Sequence, residues 1–200
     1  MLAAWERLSP VYQAHHEFST DDISYGPWAP LERDLQLLGD VTGRRVLELG
    51  CGGGQCCIAF ARRGAIVTGV DFSPEAIGRA KQLYGRLENL SLVQGDAFKM
   101  PEAWTGRFDV VFEHTCFCAV SPDRRNELVR QWRRVLVPMG HLLGVFFVTE
   151  KRQGPYFGGS EWEVRERLRK NFDFLFWTRW RRSVEGRNGK ELVVYARKKD

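Results

Sequence analysis

Residues 45–55 read Arg-Val-Leu-Glu-Leu-Gly-Cys-Gly-Gly-Gly-Gln. The run up to Leu49 suits a strand buried on both faces, and the residues from Gln55 to Arg63, QCCIAFARR, suit a helix that Gly64 stops as a left-handed cap. Strand, glycine loop and helix in that order open an α/β unit. Glycines there allow a tight turn and a close approach of ligand to backbone, where the unpaired N–H groups of the helix start can meet polar groups. The loop alone does not choose the ligand, because several cofactor classes use one.

Working outward, the same rhythm repeats. AIVTGVD (65–71), SLVQGD (91–96), FDVVFEH (108–114) and HLLGVFFV (141–148) read as strands. Ser73-Pro74-Glu75 supplies an N-cap, a proline at the first helical position and an acid in the first turn; Ser121-Pro122-Asp123 repeats the signal for a helix to about Leu136. Pro138-Met139-Gly140 is expected to turn the chain into the next strand. Ser160-x-x-Glu163 is a capping box for a helix reaching Lys170, and FDFLFWTRW (172–180) and ELVVYAR (191–197) flank the turn-rich EGRNGK as an antiparallel pair. The expected fold is therefore α/β: a seven-stranded, mostly parallel sheet ending in an antiparallel hairpin, with helices on both faces. One domain is expected over 1–200, with a core at 41–150 and a C-terminal helix and hairpin at 151–200. Residues 1–40, with prolines at 10, 27 and 30 and scattered aromatics, are expected to form a helical lid over the C-terminal edge of the sheet, where such folds bind ligands. A true lid would let residues 1–27 be deleted with loss of turnover from a still-folded core.

Two details narrow the ligand. A dinucleotide fingerprint would place a third glycine at position 55, which is Gln55, and a P-loop would need Gly-Lys-Ser/Thr. Instead an acid precedes the loop, giving E-x-G-x-G-x-G from Glu48 to Gly54. The second strand ends in Asp71, whose two oxygens can hold two ribose hydroxyls; the third ends in Gly95-Asp96-Ala97, an acid placed to hold an adenine amine.

VLELGCGGG, GVDFS and QGDA in this order resemble the cofactor-binding motifs of the class I S-adenosylmethionine-dependent methyltransferases, over roughly residues 44–150. The resemblance implies a Rossmann-like sheet and S-adenosylmethionine as cofactor, with S-adenosylhomocysteine as product and no metal. It assigns the methionyl side to Glu48, Gly50, Cys51, Gly52 and Gly54, the ribose to Asp71, and the adenine to Phe72, Asp96 and Ala97. Trp28 and Glu113 are further candidate cofactor contacts. Methyl transfer is a direct displacement, so alignment and exclusion of water are the protein's main tasks.

FEHTCFCAVSPDRR (112–125) resembles the strand-four segment of the thiopurine, thiol and halide methyltransferases, and Gly154-Pro155-Tyr156-Phe157 resembles their G-P-P-F loop. That second resemblance is partial: those enzymes usually carry P-G-C-G in the glycine loop, and P-G-G where this chain has Pro138-Met139-Gly140. The stretch from His16 to Pro30 is more similar to small-molecule methyltransferases of microbial biosynthetic type. Together they imply a small-molecule acceptor, with a thiol or another soft nucleophile favoured, since a useful fraction of a thiol is already thiolate near neutrality. Candidate acceptor contacts are His16, Tyr25, His114, Phe117, Tyr156 and Phe157, and His114 is the weak candidate for a catalytic base.

Composition agrees with a soluble cytoplasmic domain: 44% hydrophobic, 28% charged, no bilayer-length apolar run, and Glu6 and Arg7 where a signal peptide would be apolar. Cysteines stand at 51, 56, 57, 116 and 118 without a C-x-x-C pair or a zinc spacing, which suggests reduced thiols. Residues 1–40 carry seven acids against two bases, and residues 165–200 twelve bases against five acids. The basic tail keeps a macromolecular acceptor open, but the chain lacks the Asn/Asp-Pro-Pro-aromatic signature of amino-methylating nucleic-acid enzymes, and nucleic acid is not expected as a partner. The motifs also leave room for a biosynthetic O- or N-methyltransferase, a nicotinamide-dependent reductase or a non-catalytic cofactor-binding protein.

Overall fold

The computed structural model describes residues 20–151, 153–154 and 156–200. Seven strands form one sheet in the order β3-β2-β1-β4-β5-β7-β6. They are β1 Arg45–Leu49, β2 Ile66–Asp71, β3 Leu90–Gln94, β4 Phe108–His114, β5 Leu136–Phe147, β6 Phe172–Trp180 and β7 Glu191–Lys198. The strands β1 to β5 pair in parallel, while β7 lies antiparallel between β5 and β6. The chain order reverses between β1 and β4, and a sheet of this kind opens a crevice beyond the carboxyl ends of its strands at that point.

Strand alternation divides the core in two. Leu47, Val111, Leu142 and Val194 face a cluster with Leu128, Val129 and Trp132 of the helix Arg125–Val135 and Val164 and Leu168 of the helix Glu161–Leu168. Val46, Val110, Phe112 and Val193 face the opposite cluster, with Cys56, Cys57 and Phe60 of the helix Gln55–Arg62 and Ile77 and Ala80 of the helix Pro74–Tyr84. With the short helix Glu32–Leu35 as α1, these are α2 (Gln55–Arg62), α3 (Pro74–Tyr84), α4 (Arg125–Val135) and α5 (Glu161–Leu168).

The expected caps act as read at Ser73, whose Oγ accepts from Ala76 N at 3.2 Å, and at Gly64, which has φ 84°. Three local expectations change. Pro138-Met139-Gly140 does not turn the chain: it lies within β5, where Met139 has φ 59° and the β4–β5 register shifts between Phe108 and Val110. The register passes from Phe108–Leu136 to Val110–His141, so β5 carries three more residues than β4 there; an irregular bulge takes them up and pairing continues on both sides of it. Ser121-Pro122-Asp123 opens a short 3-10 turn, Pro122–Arg124, before α4. Ser160 Oγ caps α5 by accepting from Glu163 N at 3.0 Å, but the Glu163 carboxylate turns to Arg125 and Arg167, at 2.8 and 2.7 Å.

Residues 1–19, including His15 and His16, lie outside the described residues. Of the described part of that segment, several side chains are built into the core. Ile23 and Tyr25 are fully buried in the α2 cluster, and Asp22 pairs with Arg63 at 2.5 Å. Glu32 is buried too; its oxygens accept from the backbone N–H groups of Leu37, Leu38 and Gly39 at 3.2, 2.7 and 3.0 Å and from the Tyr25 hydroxyl. A cut at residue 27 would take Ile23 and Tyr25 out of that cluster.

Candidate cofactor and acceptor site

The glycine loop sits at the carboxyl end of β1. Gly50, Gly52 and Gly54 have φ of 70°, 52° and 78°, and the N–H groups of Gly50 and Cys51 bind Val70 O at 2.8 and 3.1 Å. A Cβ at Gly50 would lie 2.9 Å from Cys116 Sγ, so the turn after β4 packs directly on the loop and only glycine fits between them. Gly54 precedes α2 as its N-cap residue.

Asp71 ends β2 beside this loop and is almost buried. Its Oδ2 accepts from Gly52 N and its Oδ1 from Ser73 N, both at 2.9 Å, so one carboxylate fixes the glycine loop and the start of α3 together. Each oxygen has a second lone pair, which leaves acceptor capacity for hydroxyls. Burial raises the Asp71 carboxyl above its ordinary range, and the backbone donors hold it down in part. Phe72, next along, is 37% exposed. Asp96 is exposed two residues past β3; its Oδ1 accepts from Phe98 N at 2.9 Å, and Ala97 packs on the α4-side core. Gly95 N donates to Asp71 O at 2.9 Å, which ties the acids of β2 and β3 to one edge.

Glu48 faces the α2 side and is buried. Cys57 Sγ donates to its Oε2 at 2.8 Å, and burial, with Asp71 nearby, raises its carboxyl to about 7. It therefore ties the end of β1 to α2. Burial likewise raises the thiols of Cys56, Cys57 and Cys116, and raises Cys118 to about 12, which makes them packing groups with little thiolate character.

On the β4–β5 side the expected acceptor residues separate. Phe117 is core, edge-on to Phe146 at 5.3 Å, and Tyr25 is core with its hydroxyl on Glu32; neither has a ring face open to an acceptor. His114 is half-buried and stacked on Phe112. Tyr156 is half-buried, edge-on to Phe147 at 5.3 Å with Lys151 Nζ 4.2 Å from its ring centre, and Phe157 N donates to Cys118 O at 2.7 Å. Phe157 is thus tied to the turn after β4. Trp28 is 80% exposed on a turn whose Gly26 lies against the Glu191 carboxyl and whose Pro27 O accepts from Ser183 Oγ at 3.0 Å.

Two buried charged groups on this side carry no mark in the sequence. Arg125, fully buried at the start of α4, donates to Val120 O, Gly158 O and Glu163 at 3.1, 2.9 and 2.8 Å, joining the turn after β4 to the GPYF segment and α5. Arg187 and Glu191 pair at 2.7 Å across the start of β7. Both arginines stand in stretches that read as ordinary solvated helix or turn. Among the described residues there is no cluster of His, Cys, Asp and Glu fit for a metal ion, and no helix is long and apolar enough to cross a membrane.

A family model described as "Methyltransferase domain" matches residues 46–140. The chain is 31% identical over 156 residues to the probable thiol methyltransferase 2 of Arabidopsis thaliana, covering 76% of this chain and 68% of that one. It is 33% identical over 117 residues to thiocyanate methyltransferase 1 of the same plant, covering 56% and 50%. Apart from the thiol methyltransferase, the chain spans about half the length of the curated relatives it matches. Among solved structures it is similar to the Burkholderia thailandensis 1,6-didemethyltoxoflavin-N1-methyltransferase bound to 1,6-didemethyltoxoflavin and S-adenosylhomocysteine (TM-score 0.66, 24% identity, 84% and 75% covered). It is also similar to the [4+2]-cyclase SpnF (TM-score 0.75, 19% identity, 98% and 95% covered). The glycine loop with its two following acids, the sheet order and these relatives lead to one conclusion: the chain belongs to the class I S-adenosylmethionine-dependent methyltransferases.

Proposed function

We propose that this protein transfers the methyl group of S-adenosylmethionine by direct displacement to a small-molecule acceptor, and that the acceptor is a soft nucleophile of the thiol class. The observation that carries the reading is the single edge formed by the Gly50–Gly54 loop, Asp71 and Asp96, in which Asp71 is bonded to Gly52 and keeps free lone pairs. In this reading Gly50, Cys51, Gly52 and Gly54 flank the methionyl part and Glu48 braces them. Asp71 holds the ribose, Phe72 stacks on adenine, and Asp96 with Ala97 meets its amino group. Trp28, His114, Tyr156 and Phe157 surround the acceptor. The bound cofactor supplies an electrophilic methyl on a sulfonium; the protein aligns the nucleophile behind it and keeps water out. The thiol and thiocyanate methyltransferases among the relatives support the acceptor class.

The cyclase neighbour shows that this fold hosts other chemistry, so the site has to be tested and not the fold. Calorimetric titration with S-adenosylmethionine, S-adenosylhomocysteine and NADH, followed by a labelled-methyl screen of thiols, hydrosulfide and halides, is the experiment. Binding of the first two ligands with label appearing on a thiol is expected. Binding of NADH alone, or cofactor binding with no methyl transfer to any small acceptor, overturns the reading.

A further inference from the structure

The last inward-facing side chain of β4 is a carboxyl that packing alone does not explain. Glu113 pairs in register with Leu49, the residue before the glycine loop, on one side and with Gly144 of β5 on the other, so it stands where the cofactor half of the edge meets the acceptor half. It is fully buried. Its Oε1 accepts from Phe117 N at 2.6 Å, which fixes it beneath the turn that follows the strand. Its Oε2 has no hydrogen-bond partner among the described residues. A buried carboxylate oxygen without a donor is costly, and sites that keep one commonly use it. Thr115, held at φ 59°, and Cys116 follow it in the turn, and Cys116 is the residue that packs on Gly50.

Resting on the functional reading above, we propose that Glu113 is the general base of the reaction, taking the acceptor's proton on Oε2, and that the acceptor class is a protonated soft nucleophile, a thiol or hydrosulfide, in preference to a ready-made anion. In the step, the S–H bond of the acceptor breaks and its proton passes to Oε2. A sulfur lone pair forms the new S–CH3 bond while the methyl–sulfonium bond breaks, its electron pair staying on the sulfur of S-adenosylhomocysteine. The proton then leaves Glu113 for solvent. An anion such as iodide or thiocyanate has no proton to lose and needs no such group.

The surroundings suit the task. Burial raises the Glu113 carboxyl to about 8, against the lowering effect of the Phe117 and Cys116 backbone N–H groups and of Arg125 on α4. That is close to the ordinary thiol value of roughly 8.5, and a base matched to its substrate transfers a proton with little waste. The other titratable groups coupled to it are the thiols of Cys116 and Cys118, both raised and therefore neutral.

The test is Glu113→Gln, which keeps an oxygen for the Phe117 N–H and removes the basicity. Thiol turnover at pH 8, where the carboxyl is about half ionised, is expected to fall about 100-fold or more, the loss shrinking as pH rises further and solvent supplies thiolate. Methyl transfer to iodide and the calorimetric Kd for S-adenosylmethionine are expected to stay within about threefold of the unaltered protein. An equal loss for thiol and iodide at every pH would make Glu113 a purely structural cap, and a weakened cofactor Kd would make it a cofactor contact; either overturns the proposal. Should Glu113→Gln fail to fold, Glu113→Asp carries the test: an unchanged ratio of thiol to iodide turnover overturns it. If the unaltered protein methylates neither acceptor, the functional reading itself falls and this assignment with it.

Discussion

Asp71 does two jobs at once. It anchors Gly52 and Ser73 through backbone N–H groups, and in the proposed function its remaining lone pairs hold the ribose. A hydrogen bond to a charged acceptor contributes roughly 1.5–3 kcal/mol, so Asp71→Ala is expected to weaken S-adenosylmethionine binding about 10- to 100-fold by calorimetry. Unchanged affinity would remove Asp71 from the ribose role. Glu48 and Glu113 make a different prediction. Burial raises both above the ordinary glutamate range, to about 7 and about 8. The folded protein therefore binds more protons than the unfolded chain between about pH 4.5 and 8. The stability those protonated carboxyls confer is fully present below that window and is lost as pH rises through 7 and 8. Urea denaturation should show Glu48→Gln gaining about 1–3 kcal/mol relative to the unaltered protein on going from pH 5 to pH 8.5. A parallel pH dependence in both proteins would show that Glu48 is not the titrating group.

Between elements, the loops that shape the acceptor side depend on Arg125. Its guanidinium reaches Val120 O, Gly158 O and Glu163, and lies over the Phe117 ring, with its carbon 4.5 Å from the ring centre. Only a planar, forked donor reaches three directions at once, so lysine is not an equivalent replacement. Arg125→Met removes a partner from buried carbonyls and an ion pair, and is expected to cost about 2–4 kcal/mol in denaturant unfolding. Hydrogen exchange at Phe157 N, bonded to Cys118 O, should accelerate well before global unfolding. If exchange there changes no more than at β1, Arg125 is not what ties the GPYF segment down.

At the scale of the whole molecule, the N-terminal region closes one layer of the sandwich. Removing residues 1–27 takes Ile23 and Tyr25 out of the α2-side core and breaks the Asp22–Arg63 pair. Two fully buried side chains contribute about 3–6 kcal/mol between them, a large share of the 5–15 kcal/mol typical of a domain. The truncated chain is expected to unfold at far lower urea concentration, with cofactor binding lost alongside. A truncated protein with unaltered denaturation would mean that the segment is a detachable cover after all. The same arithmetic explains why Gly26 matters: a Cβ there would meet the Glu191 carboxyl at 2.6 Å and push the turn carrying Trp28 off the sheet.

Local chemistry determined most of the architecture before any contact was known. Alternating apolar runs and helix signals such as Ser73-Pro74-Glu75 act within a few residues, so the strands, the first helices and the glycine loop with its two acids were legible in order. Where a local signal misled, a long-range contact had won. Pairing with β4 on either side, at Leu136 and His141, carried β5 through Pro138-Met139-Gly140, and Arg125 drew the Glu163 carboxylate away from its cap. The fates of Tyr25 and Phe117, both aromatic and both expected near ligand, were decided by which cluster closed over them. Burial of Arg125 was decided the same way: Gly158 O and Glu163, 33 and 38 residues away, meet its guanidinium, whereas Glu113 and Glu32 are met by backbone N–H groups four to seven residues away. Partners as far apart as those of Arg125 are brought together by the fold alone, and a polar group enters the core only where another meets it.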